Sequence, residues 1–320
     1  MSWPVRLPHR SPVRGSLRHE SLSSALTGPR FKHFAAIDWS GAAGERHTGI
    51  AVALCAAGDA APKLVRPGHR WSRGEVLEWL ERDLPPDTLV GFDMSFAFAF
   101  GDAGAYFPGW ADSPTEARSL WAKVEQICGD EPHLGATTFA DHPELAPHFR
   151  RHGGREGAAF GANGQSGGRG RFRQTEHAQA RAGCRPYSNF NLVGAAQVGK
   201  GSLAGMRLLH RMQHQYAIWP FDALPDNGTV LVEIYTTLAA IAAGRSAARS
   251  KIRDYGDLNA ALSALGSKPV PGHGAITDHA ADALISAAWL RTLAHDPANW
   301  SPPLLTPEIA ATEGWTFGAR

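Results

Sequence analysis

The sequence predicts an α/β fold, a mixed five-stranded sheet flanked by helices, with a large insertion after the fourth strand. Three observations lead there. Short apolar runs and helical spacings alternate in the order three strands, a helix, a strand. The first and fourth runs, Phe34–Ile37 and Thr88–Phe92, each end in an acid, Asp38 and Asp93. A Gly- and Arg-rich middle then breaks the rhythm before strand and helix patterns return.

Taken in order, residues 1–30 are rich in Pro, Ser and Arg and lack apolar periodicity. They read as a disordered basic tail or an upstream start, not a secretory signal, and the fold is expected over 31–320. Phe34–Asp38, with Ser40-Gly41 behind it, reads as a buried strand entering a turn. Thr48–Ala57 and Lys63–Trp71 follow as second and third strands of an antiparallel meander. Ser72 is an expected N-cap with Glu75 as its capping-box partner. Val76, Leu77, Trp79, Leu80 and Leu84 carry that helix to the stop at Pro85-Pro86. Thr88–Phe92 is the fourth strand, and the insertion spans about 100–225. It holds an expected helix near 114–128 and a segment from Val193 to Tyr216 that is helical in its second half. Thr229–Tyr235 is the fifth strand; helices are expected at 237–243, 256–265 and Asp278–Leu293, the last Ala-rich and free of Gly and Pro.

Composition narrows the class. The apolar share of 43% and charged share of 19% are those of a globular protein, and no run approaches the roughly 18 apolar residues of a membrane span. A net charge of +2 leaves nucleic-acid binding to be argued from local patches. Cys55, Cys128 and Cys184 are isolated, with no CxxC pair, which disfavours disulfides and zinc and suits a reducing cytoplasm. Oligomeric state is not legible.

The acids carry the chemistry. A fourth strand lying parallel beside the first sets Asp38 and Asp93 about 4.8 Å apart at the sheet's carboxyl end, where open α/β sheets place their sites. A lone carboxylate ending a buried strand is costly, and a shared cation is one remedy; a helix N-terminus or an Arg partner is the other. Asp278 and Asp282 are one helical turn apart and face the same way, although Asp278 also reads as an N-cap. His279 and Ser40 stand beside these acids as supporting groups. Glu233, between Val232 and Ile234, is a further ligand, a supporting acid or the partner of an Arg.

The ordered set IDWSG, GFDMSF, VEIYTT, DHAADALISAAWL and EGWTFG resembles the DUF429 family of predicted RNase H-like nucleases. The order of its acids is also similar to the RuvC-type resolvase branch, where acids on strand one, strand four and the final helix bind two metal ions. The resemblance covers about 31–320 and implies an RNase H-like fold. It also implies metal ligation by Asp38, Asp93, Asp278 and Asp282, with Asp38 bridging, and hydrolysis of nucleic-acid phosphodiesters. Hard oxygen donors suit Mg²⁺ or Mn²⁺, and two such ions about 3.5–4 Å apart activate water and stabilise a leaving oxygen.

A basic stretch would meet the substrate. Eight Arg lie in 150–185 against Glu156 and Glu176; among them Arg169, Arg171 and Arg173 are expected on phosphates, with Phe172 stacking on a base. A solvated loop is the plain alternative. Lys200, in Gly199–Ser202, reads as part of a helix-entry turn touching phosphate, and Lys251 as reaching the same cleft. His142, His148 and His152, with Asp141 and Glu144, could hold zinc, but Pro143 and Pro147 break the helix that would align them. The rival functions are an actin-like or sugar-kinase-like ATP-binding phosphotransferase and a binding module without turnover.

Overall fold

In the computed structural model, which describes residues 30–153, 155–161, 168–194 and 197–320, the first three strands form the expected meander. They are β1 (His33–Asp38), β2 (Ala51–Ala56) and β3 (Lys63–Leu64), each antiparallel to the next. α1 (Arg73–Arg82) starts at the predicted capping box: Glu75 N donates to Ser72 Oγ at 3.0 Å, and Ser72 N to the Glu75 carboxylate at 2.8 Å. β4 (Thr88–Asp93) then lies parallel beside β1.

The insertion supplies α2 (Ala117–Cys128), α3 (Thr137–Asp141), the short hairpin strands β5 (Arg150–Arg151) and β6 (Arg155–Glu156), α4 (Gln174–Arg181) and α5 (Val198–Met212). The chain returns to the sheet as β7 (Ala217–Ile218) and β8 (Val230–Glu233). It ends in α6 (Thr236–Ala242), α7 (Tyr255–Ala264), α8 (Asp278–Leu293), α9 (Pro297–Trp300) and α10 (Pro307–Thr312). The expected tail lies outside the described residues except for Arg30.

The main sheet has six strands, in the order β3-β2-β1-β4-β8-β7, with β2 alone running against the others. Two expectations need correction. The sheet gains β7, only two residues long and so without a readable apolar run. The third strand stops at Leu64, because Arg66 and Gly68 take left-handed backbone angles on either side of Pro67 and turn the chain away.

Alternation along the strands creates two cores. Ala35, Ile37, Val90, Phe92 and Leu231 point to one face, against α1, α2 and α5. Phe34, Ala36, Leu89, Val230 and Val232 point to the other, against α6, α7 and α8. Insertion residues such as Phe98, Phe107, Trp121, Phe149 and Met206 share the first core with the sheet, so the insertion is packed into the domain.

α8 lies across β1 and β2, and its small residues let it approach closely: the Cys55 thiol donates to the Ala287 carbonyl at 3.4 Å. Gly91 allows the same closeness on β4, since a Cβ there would sit 2.7 Å from Ile234 Cγ2 and 2.8 Å from Leu290 Cδ1. Gly91→Val should therefore cost about 1–3 kcal/mol through overpacking. A urea midpoint equal to wild type would show that α8 does not press on β4 as described.

Candidate functional site

β1 and β4 pair so that Asp38 stands opposite Asp93. Both follow the parity of the strand residues that face α8, so their carboxylates project toward that helix. α8 returns two acids to the same place. Its N-cap is Thr277, whose Oγ1 accepts from Ala280 N at 3.2 Å, so Asp278 is not the cap and turns toward Lys251. Asp282, one turn further, is 4% exposed.

Each carboxylate has one close partner. His279 Nδ1 lies 3.0 Å from Asp38 Oδ2. Thr236, at the start of α6, donates to Asp93 from its backbone N at 3.3 Å and its hydroxyl at 3.1 Å. Lys251 Nζ sits 2.6 Å from Asp282 and 4.0 Å from Asp278. Asp93 and His279 line a cavity of about 290 Å³ whose walls include Trp39, Ser40, Tyr187 and Tyr235.

Four acids against one lysine and one histidine leave the cluster short of positive charge, and the protonation equilibria reflect it. Burial raises the Asp38 pKa, a rise only partly opposed by the His279 hydrogen bond. Burial, then the charges of Asp38 and Asp282, pushes Asp93 up to about 8. Burial lifts Asp282 to about 6 despite Lys251. His279 is raised by its hydrogen bond to Asp38. Among the described residues, no group of three or more His, Cys, Asp or Glu side chains is already arranged to hold a metal ion.

The remaining expected site residues divide. Ser40 lines the cavity, with its Oγ accepting from Ala42 N at 3.2 Å. Trp39, buried at the end of β1, donates from Nε1 to the Gly201 carbonyl at 3.0 Å and ties the strand to α5. Lys251, expected to reach the phosphate cleft, pairs with Asp282. Lys200 lies in the first turn of α5 and faces a second cavity. Arg169 is exposed, its guanidinium 5.3 Å from the Phe172 ring.

Arg171 and Arg173 are corrections, because both are buried. Arg171 binds Asp102 and the carbonyls of Ala99 and Ala105, at 3.0 and 2.8 Å. Arg173 bonds Glu233 through both terminal nitrogens at 2.8 and 2.6 Å, and Glu176 at 2.6 Å. Glu233 also accepts from Phe96 N at 2.8 Å and Thr316 Oγ1 at 2.5 Å, which makes it the Arg-paired acid of the three readings. Its register partner is Phe92, so it points away from α8 and from Asp38. His148 is buried and stacks edge-on to Phe107. Sequence reading missed Thr236 and Tyr235, which lie where the expected fifth strand gives way to the next helix. No family model, curated protein or solved structure matches this chain.

The raised Asp93 pKa makes a stability prediction. An aspartate with an ordinary value near 3.8 is held at about 8 in the native state, so the folded chain keeps a proton that the unfolded chain has lost. That contribution is full at low pH and disappears as pH rises through 8. Asp93→Asn, neutral throughout, should melt above wild type at pH 8.5 in chelator, with the gap closing toward pH 4. A gap that widens on acidification would contradict the assignment.

Proposed function

We propose that this chain is a divalent-metal-dependent nuclease of RNase H-like fold, hydrolysing phosphodiesters of DNA or RNA. The observation that carries the reading is the in-register Asp38–Asp93 pair, closed over by Asp282 of the last helix. The acids thus come from strand one, strand four and the final helix, the order the DUF429 and RuvC-type resemblance implies. The sheet supports it too, with three antiparallel strands, then a helix, then β4 parallel to β1.

The donor set suits Mg²⁺ or Mn²⁺: carboxylate oxygens, mostly desolvated, raised in pKa and lacking enough counter-charge. Asp38, Asp93 and Asp282 would hold the ions, with Asp278 at the outer edge. Bound there, two such ions supply water activation and charge for the leaving oxygen.

The chain's own groups do the rest. His279 fixes the Asp38 carboxylate, and Thr236 fixes that of Asp93. Lys251 neutralises Asp282 and is half exposed, so its ammonium is also able to meet a substrate phosphate. Trp39, Tyr187 and Tyr235 give the cavity aromatic walls for a sugar or base.

The test is cleavage of single-stranded, duplex and branched DNA and of RNA by the full chain with Mg²⁺ or Mn²⁺. Asp38→Asn, Asp93→Asn and Asp282→Asn should each lose more than about a hundredfold in rate, and His279→Ala about 10–100-fold as a positioning residue. His279→Gln, which restores a hydrogen-bonding side chain, should recover part of that loss. Absence of cleavage under every condition, or full activity of Asp38→Asn, would overturn the proposal.

A further inference from the structure

A second cavity, of about 440 Å³, lies on the other side of the loop that follows β1. Gly41 lines both cavities. A Cβ on Gly41 would sit 2.3 Å from Gly201 N, so the loop and α5 close tightly to form the ridge between them. The volume falls in the range of small-ligand pockets, about 300–1,000 Å³.

Its charge is one-sided. Arg73, Arg151, Arg155 and Lys200 line it against only Glu131 and Asp141. Both acids are engaged: Glu131 accepts from Thr137 N at 2.9 Å and Thr138 N at 2.5 Å, and Asp141 pairs with Arg151 at 3.0 Å. Lys200 has no ion-pair partner among the described residues, and Arg155 Nε donates to the His152 carbonyl at 3.1 Å.

Arg73 is the sharper observation, since it is 3% exposed. Its guanidinium meets carbonyls alone: Ser40 at 3.1 and 3.0 Å, Ala42 at 2.7 Å and His133 at 2.9 Å. A buried cation without an anion is costly, and an anion in the adjoining cavity relieves that cost. Burial, then the nearby Arg207, pulls the Arg73 pKa down to about 10. Backbone strain sits here as well. His133 and Leu134 take left-handed angles, φ 56° and 53°, at about 1–3 kcal/mol each, and the Arg73 bond to the His133 carbonyl helps hold the turn. The rest of the wall is aliphatic, with Pro132, Ala136, Leu192 and Leu203.

We propose that this cavity binds one nucleotide unit, its phosphate against Lys200 and Arg155 in the field of Arg73 and its base on the aliphatic wall. The inference deepens the nuclease reading and rests on it for one point, that the unit neighbours a phosphodiester at Asp38 and Asp93. Nucleotide binding itself needs neither metal nor turnover.

Calorimetry in EDTA with adenosine 5′-monophosphate, adenosine and inorganic phosphate tests it, beside anisotropy with a labelled oligonucleotide. Wild type should bind the monophosphate more tightly than adenosine or phosphate. The double variant Lys200→Ala/Arg155→Ala should weaken that binding by about tenfold or more, the loss of one charge-assisted contact or greater. Ala204→Phe, which fills the cavity from α5, should do the same, while Asp93→Asn binds as wild type. Weakening of both monophosphate and oligonucleotide assigns the unit to a strand, and weakening of the monophosphate alone to a free nucleotide; either upholds the site. No monophosphate binding by wild type, equal affinity for inorganic phosphate, or a double variant within about twofold of wild type overturns it. Because chelator removes turnover, failure here is separable from failure of the nuclease reading.

Discussion

The parallel register of β1 with β4 is the constraint on which the site depends, because it sets Asp38 directly beside Asp93. Slipping that register by one residue would send one carboxylate to the opposite face of the sheet. The packing opposes such a slip. Phe92 fills one core, and Gly91 makes room for Leu290 and Ile234 on the other face. Two like charges at adjacent strand ends, covered by α8, must then be protonated or matched by cations. Lys251 and His279 meet only part of that demand; burial first, and then the charges of Asp38 and Asp282, hold Asp93 at about 8.

Two ionic systems flank the end of the sheet, and they differ in how fully their charges are matched. Arg173, Glu176 and Glu233 form a closed network, buried and hydrogen-bonded to Phe96 N and Thr316. It joins α4, β8 and the C-terminal segment, and removing one member of such a network costs about 3–5 kcal/mol. The cluster of Asp38, Asp93, Asp278 and Asp282 has only Lys251 and His279 as counter-charges, and the cavity at the end of the sheet is lined by Asp93 from this cluster and by Glu176 and Glu233 from the other. The first system holds the scaffold; the second leaves carboxylates without a full set of cationic partners.

Much of this was legible in the sequence because the signals were local. Apolar runs marked β1, β2, β4 and β8, and the Ser72–Glu75 pair marked the start of α1. The Asp38–Asp93 pairing followed from connectivity, since a helix between two strands permits a parallel return. The failures came where three-dimensional facing decides. In GRGRFRQ, composition cannot show that Arg171 and Arg173 turn inward while Arg169 stays out. Glu233 was ambiguous until its pairing with Phe92 fixed its face. Asp278 resembled a cap, but Thr277 carries the oxygen that meets Ala280 N. Arg73 gave no signal at all, because its partners are carbonyls of loops far apart in the chain.

The central claim is that the carboxylates gathered by β1, β4 and α8 form a cation site. Electron paramagnetic resonance of Mn²⁺ titrated into the full chain at pH 7.5 tests it most directly, since bound ion loses the free-ion signal. Wild type should take up Mn²⁺, and the Asp38→Asn/Asp93→Asn double variant, folded by circular dichroism, should leave it free. No uptake by wild type, or equal uptake by the double variant, would contradict the account.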